Sequence, residues 1–205
     1  RGECSGGRCA VRQTGRGSMS QLNITDAIFA QAAARPDAVA VIDGERMIDY
    51  RTLCRGVLRA AAQFAQAGWA PGDIVGISLR GGPLAHLIAS LALARIGVAQ
   101  VALPPADWPA LCLARTRRLG VRAVIADHDA AAAAGVAAVA PVPGWLAQGG
   151  ASVPDTRVDG GERVWIVGES SGTTGEPKLI GISHRLEDAH ATRQAPVFGY
   201  RAGER

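Results

Sequence analysis

The chain has 205 residues, 48% of them hydrophobic and 20% charged, with a formal net charge of +4. This is room for one sizeable core or two small ones, and it excludes a wholly disordered chain. Four cysteines exclude a disulfide-dense scaffold. The positive charge sits in Arg1, Arg8, Arg12 and Arg16, so the body beyond residue 18 is nearly neutral and offers no footprint for a nucleic acid.

Residues 1–18 hold five glycines and almost nothing apolar. They read as a disordered leader foreign to the native protein, whose start is expected at Met19. An orderly alternation begins at Thr25, a predicted N-cap for a helix through Ala34 that Pro36 stops. Ala38–Ile42 and Glu45–Asp49 flank Asp43-Gly44 as a hairpin. Residues 51–67 form an amphipathic helix with Leu53, Val57, Ala61 and Phe64 on one face, Arg51, Arg55, Arg59, Gln63 and Gln66 on the other, and Gly68 as C-cap.

Strand Ile74–Leu79 follows the turn Pro71-Gly72-Asp73. The longest apolar run, Leu84–Ile96, is too short for a membrane span and carries His86, Ser90 and Arg95. It reads as part of a buried helix from Pro83, closed by Gly97. Strand Val98–Leu103, a helix over Pro109–Leu119 and strand Ala123–Ala126 complete a strand–helix alternation. The fold class is therefore α/β, a mostly parallel sheet with covering helices. Residues 135–161 read as loop, with the alanine run Ala130–Ala134 ahead of them as a short helix or linker. Strand Val164–Val167 feeds a glycine-rich segment, and strand Leu179–Ser183 and a helix from Arg185 follow.

That segment, from Gly168 to Lys178, packs Ser170, Ser171, Thr173 and Thr174 around Gly172 and Gly175. Lys178 is the only lysine of the chain, against 21 arginines. Glycines let successive N–H groups turn toward one anion, hydroxyls donate further hydrogen bonds, and the ammonium adds a point charge. The chemistry suits a polyphosphate. The P-loop pattern fails, because Glu176-Pro177 separates Gly175 from Lys178 and Leu179 follows the lysine. Gly168-Glu169-Ser170-Ser171-Gly172 also fits the G-x-S-x-G nucleophile elbow, which would make Ser170 a hydrolase nucleophile. Against it, no helix start follows, and only His184, Asp188 and His190 remain downstream to complete a triad.

Ser170-Ser-Gly-Thr-Thr-Gly-Glu-Pro-Lys178 resembles the signature loop of the adenylate-forming (AMP-binding) superfamily, which includes acyl-CoA synthetases and the adenylation domains of nonribosomal peptide synthetases. Ile48–Leu53, Pro71–Leu79, Leu93–Pro104 and the pair Ser183-His184 are similar to further segments of that family, so the likeness runs from about Leu22 to Arg193. Two positions depart: Glu169 stands where the family often has an aromatic, and Leu179 where it commonly has glycine. Glu169 adds a negative charge beside the proposed anion site.

The resemblance implies that residues 19–205 are the N-terminal part of the large domain of an adenylate-forming enzyme. It implies ATP and Mg²⁺ as cofactors, a small carboxylic acid as substrate, and an acyl-adenylate passed to CoA or a carrier-protein thiol. Ser170, Ser171, Gly172, Thr173, Thr174, Gly175 and Lys178 would hold the β- and γ-phosphates. The Mg²⁺ ligands and the remaining catalytic groups would lie beyond Arg205, so this chain alone is expected to be inactive. No metal site is expected within it, since its cysteines lack CxxC spacing and read as reduced cytoplasmic thiols. His86 reads as a packing residue, and His184 as a helix-start residue. Three readings stand: a partial adenylate-forming ligase, a hydrolase using Ser170, and a binding protein that keeps only the fold.

Overall fold

The computed structural model describes residues 22–105, 109–129, 135–141, 144–147, 153–170 and 178–200. Helix α1 (Asp26–Ala34) leads into a hairpin of β1 (Val39–Asp43) and β2 (Arg46–Asp49). Gly44 takes a φ of 61° at its turn, a conformation that costs a side chain and costs glycine nothing. Asp49 ends β2 and caps α2 (Tyr50–Gln66), its carboxylate accepting the Thr52 N–H at 2.6 Å. Then come β3 (Ile74–Ser78), α3 (Pro83–Arg95), β4 (Ala99–Ala102), α4 (Pro109–Leu119), β5 (Ala123–Ala126), β6 (Ala137–Val139), β7 (Val164–Glu169), β8 (Leu179–Ser183) and α5 (His184–Gln194).

The main sheet has the order β6-β5-β3-β4-β7-β8. Every pair is parallel except β7–β8, which is antiparallel. Alternation along the strands separates two cores. Val75, Ile77, Ala123 and Ile125 face a cluster with α2 and α3, while Val101, Val124, Ala126 and Val167 face a second with Leu103, Leu119 and Leu179. α3 is apolar all round because it packs against α2 as well as the sheet. Phe64 of α2 stacks on Trp69 at 4.9 Å and meets Trp145 edge-on at 5.9 Å.

Two expectations need correction. Thr25 does not cap α1 through its side chain; it is fully buried, and its hydroxyl donates to Asn23 Oδ1 at 2.7 Å. Asn23 is thereby drawn into the core instead of leaving the helix start to solvent. Residues 135–161 are not all loop: Ala137–Val139 forms β6, which pairs with β5. Ala-Ala-Val has no strand signature of its own, so tertiary pairing makes this strand. The polar face of α2, where the sequence put it, also grips a neighbouring segment. Arg59 Nη1 donates to the Gly144 and Ala147 carbonyls at 3.1 and 2.6 Å, and Gln63 Nε2 to the Ala140 carbonyl at 2.8 Å, holding segment 140–147 against the helix. The expectations for residues 1–18 and the alanine run lie outside the described residues.

Candidate functional site

Strands β7 and β8 form an antiparallel hairpin that flanks the glycine- and hydroxyl-rich segment. β7 carries the chain up to Glu169, β8 returns it from Leu179, and the two pair in register, Glu169 opposite Leu179. One step further, the Ser170 N–H donates to the Lys178 carbonyl at 2.9 Å and closes the loop at its root. The first hydroxyl residue and the lysine are therefore brought side by side. Ser170 is half-buried and Lys178 exposed. Ser171, Gly172, Thr173, Thr174 and Gly175, assigned to the same site from the sequence, lie outside the described residues.

This root stands beside a cleft of about 460 Å³ lined by Val101, Ala102, Pro104, Arg115, Glu169 and Ser170, among others. The position has a topological reason. The connection leaving β4 runs back past β3 to β5, whereas that leaving β7 runs outward to β8. Adjacent parallel strands whose exits diverge leave a crevice beyond their carboxyl ends, where α/β sheets bind ligands.

Glu169 is not a bare charge at this mouth. Arg115 of α4 donates to its Oε2 from both Nε, at 3.1 Å, and Nη2, at 3.0 Å. Both side chains are about four-fifths buried. The carboxylate that was expected to oppose an anion is thus paired, and it ties α4 to the root of the loop. The glutamate was visible in the sequence. Its partner 54 positions earlier was not, because nothing in α4 distinguishes Arg115 from its neighbours Arg117 and Arg118.

A nucleophile elbow requires strand, turn and helix in immediate succession. Among the described residues, the next element after Ser170 is the antiparallel strand β8, and the next helix begins at His184. The imidazole of His184 lies at the opposite end of β8 and is fully buried, its Nδ1 accepting the Ile24 N–H at 3.0 Å. It cannot serve Ser170 as a base. A different Ser–His–Asp contact exists: Ser78 Oγ lies 3.4 Å from His128 Nε2, and His128 Nδ1 lies 3.1 Å from Asp127 Oδ1. Asp127 also accepts the Arg80 and Gly81 N–H groups, and Ser78 is only 4% exposed. The carboxylate's work here is to hold the β3–α3 turn.

The remaining singled-out residues are quiet. Cys54 and Cys112 are buried thiols in no disulfide among the described residues, and burial pushes the Cys54 thiol up to about 11, far from reactive. His86 is half-buried on α3, and its burial lowers its basicity. Among the described residues no helix is long and apolar enough to cross a membrane.

A mostly parallel sheet with covering helices and a crevice beyond the carboxyl ends of β4 and β7 defines an α/β protein of the doubly wound class. The AMP-binding enzyme family profile matches residues 28–198, and the chain belongs to that family. It is 31% identical over 174 residues to the isonitrile lipopeptide synthase of Mycobacterium tuberculosis, a match covering 80% of this chain and 6% of that protein. It is 32% identical over 171 residues to the phenyloxazoline synthase MbtB of Mycolicibacterium paratuberculosis, covering 78% and 14%. Among solved structures, VinN superposes with a TM-score of 0.74 at 22% identity, covering 89% of this chain and 49% of its own. The O-succinylbenzoate coenzyme A synthetase MenE of Bacillus subtilis, in complex with AMP, gives 0.73 at 20% identity, covering 85% and 46%. The chain thus spans about half of each of these structures and a smaller share of the curated relatives.

Proposed function

We propose that this chain provides the triphosphate-holding part of an enzyme that activates a carboxylic acid with ATP. The carboxylate attacks the α-phosphorus, pyrophosphate departs, and the acyl-adenylate passes its acyl group to a thiol of CoA or of a carrier protein. The observation that carries this reading is the closed root of the loop, where Ser170 N–H meets the Lys178 carbonyl at the mouth of the crevice. That bond pairs the backbone of Ser170 with that of Lys178, the chain's only lysine, and the sequence between them supplies hydroxyl and glycine residues, a set suited to charge developing on a departing pyrophosphate. Ser170, Ser171, Gly172, Thr173, Thr174, Gly175 and Lys178 are the residues we assign to that task. Carrier-protein acceptance is supported by the kind of synthase found among the relatives, and CoA by the likeness to MenE.

Among the described residues, no three histidine, cysteine or carboxylate side chains gather as a metal site. The buried thiols Cys54 and Cys112, in no disulfide among the described residues, support a reducing, cytoplasmic setting. Two measurements test the function. ATP added to the 205-residue chain should protect amides of residues 170–178 from hydrogen exchange. In a longer form spanning the full length of its relatives, replacing Thr173, Thr174 and Lys178 by alanine should lower acid-dependent ATP–pyrophosphate exchange at least about a hundredfold, as removing transition-state donors does. Exchange at the unaltered rate would overturn the assignment. The 205-residue chain alone, half the length of VinN, should show no exchange above background.

A further inference from the structure

The hairpin that carries the phosphate loop has little to hold it. β8 is the last strand of the sheet order and pairs only with β7, while β7 pairs with β4 through Gln100–Ile166 and Val101–Val167. Something else must fix the hairpin's far end, and the described residues contain a joint at that place.

Four segments meet there. Leu22 accepts the Gly160 and Gly161 N–H groups at 3.1 and 2.6 Å. Asn23, fully buried, donates from Nδ2 to the Ala94 carbonyl at the end of α3 and to the Val158 carbonyl, at 2.8 and 2.9 Å. The His184 and Arg185 N–H groups, just past β8, donate to the Arg163 and Gly161 carbonyls at 3.2 and 3.0 Å. At the centre, His184 accepts the Ile24 N–H on Nδ1, a contact between residues 160 positions apart. Because a backbone N–H can only donate, the imidazole is neutral with its proton on Nε2, which has no hydrogen-bond partner among the described residues. The ring is wedged between Trp165 of β7, at 6.2 Å between centroids, and Gly160, where a Cβ would stand 2.6 Å from His184 Cγ. A side chain that leaves a polar nitrogen buried and unpaired is a poor choice for packing alone.

We propose that His184 is a positioning residue for the phosphate loop: it fastens the β8–α5 junction to the segment Leu22–Thr25 and so fixes where Ser170 and Lys178 stand. What the loop holds rests on the function proposed above, whereas the fastening is geometric and can be tested without it. The titratable groups around the ring are Asp26, Arg157 and Arg163. None donates or accepts at Nδ1, so the Ile24 amide is the contact to remove.

Four forms of the chain decide it: the unaltered chain, His184→Asn, His184→Phe and Ile24→Pro. Asparagine keeps an acceptor near the Nδ1 position. Phenylalanine keeps a flat ring between Trp165 and Gly160 but accepts nothing. Ile24→Pro removes the donor from the other side and serves if His184→Phe fails to fold. Hydrogen exchange is read at Ser170 and through β8, with β3 as internal reference, and ATP binding by calorimetry. In His184→Phe and Ile24→Pro, β8 and Ser170 should exchange about tenfold faster, the measure of one lost buried hydrogen bond, with β3 unchanged. ATP should bind about tenfold more weakly, and His184→Asn should keep both readouts near the unaltered chain. Equal acceleration of β3 and β8 would mark a general packing role and overturn the proposal, as would unchanged exchange in β8. If the unaltered chain bound no ATP, the nucleotide function would fail, and the exchange comparison would still decide the fastening.

Discussion

Arg95 shows how much one residue can organise. It lies at the end of an apolar helix and is 4% exposed, yet it is fully charged. Nε and Nη2 clasp the two oxygens of Asp155, Nη1 donates to Thr25 Oγ1 at 2.8 Å and Asp26 Oδ1 at 3.0 Å, and the guanidinium lies 3.8 Å over the Phe29 ring. Burying a charge is tolerable only with this many partners, and removing it strands the carboxylates that were arranged to meet it. Arg95→Ala should therefore cost about 3 kcal/mol in urea-induced unfolding. Arg95→Lys should recover little of it, since an ammonium cannot reproduce the planar fork. A loss below about 1 kcal/mol for Arg95→Ala would mean that Arg157, which also holds Asp26 at 2.7 Å, carries the cluster by itself. Ser170 supports the opposite expectation. With His184 buried and engaged by Ile24, and β8 the next element among the described residues, it should stay unmodified by a fluorophosphonate. A Ser170 adduct in a peptide digest would restore the hydrolase reading.

At the scale of elements, the phosphate-loop hairpin is fixed by fit as much as by hydrogen bonds. Gly160 has no room for a side chain: a Cβ would meet His184 Cγ and the Leu22 carbonyl oxygen, each at 2.6 Å. Neither is the far end of a flexible chain, so Gly160→Ala should destabilise by about 2 kcal/mol and loosen β8 before β3, read again by hydrogen exchange. An alanine variant with the unaltered chain's stability would show that the joint yields. The elements themselves were mostly legible. Proline and glycine punctuation set the ends of α2, α3 and α4, and alternation set the buried face of α2. The family was legible because the hydroxyls, glycines and lysine of its signature segment are contiguous. What was not legible depends on contacts distant in sequence: Ala137–Val139 is a strand only beside β5, Arg115 matters only opposite Glu169, and His184 is a joint only once Ile24 reaches it.

Across the whole molecule these contacts give stability a particular dependence on pH. Burial lowers His184 from its ordinary 6.5 to about 4. The folded state then holds fewer protons than the unfolded chain between those values, so stability rises with pH across that interval. The stabilisation is complete above pH 6.5 and declines as pH falls toward 4, by a total of the order of 2–3 kcal/mol. A second decline follows at lower pH. Burial alone would raise Asp26, but the hydrogen bonds from Arg157 and the Asn23 N–H, with the charges of Arg157 and Arg95, outweigh it and hold the carboxyl below its ordinary value. Asp49 is lowered by the Thr52 amide, and Asp127, against some burial, by the Arg80 N–H, His128 and the Gly81 N–H. Stability from these three is present above their ordinary 3.8 and is lost as pH falls through their lowered values. Unfolding midpoints in urea from pH 8 to pH 3 should therefore hold level, fall between 6.5 and 4, and steepen below that. His184→Phe should remove most of the first fall, leaving the smaller share that half-buried His86 contributes below pH 6.5, and leave the second. If the variant kept the same slope between pH 6.5 and 4, another group would have to titrate there, and the buried neutral imidazole would not be the acid-sensitive point of the fold.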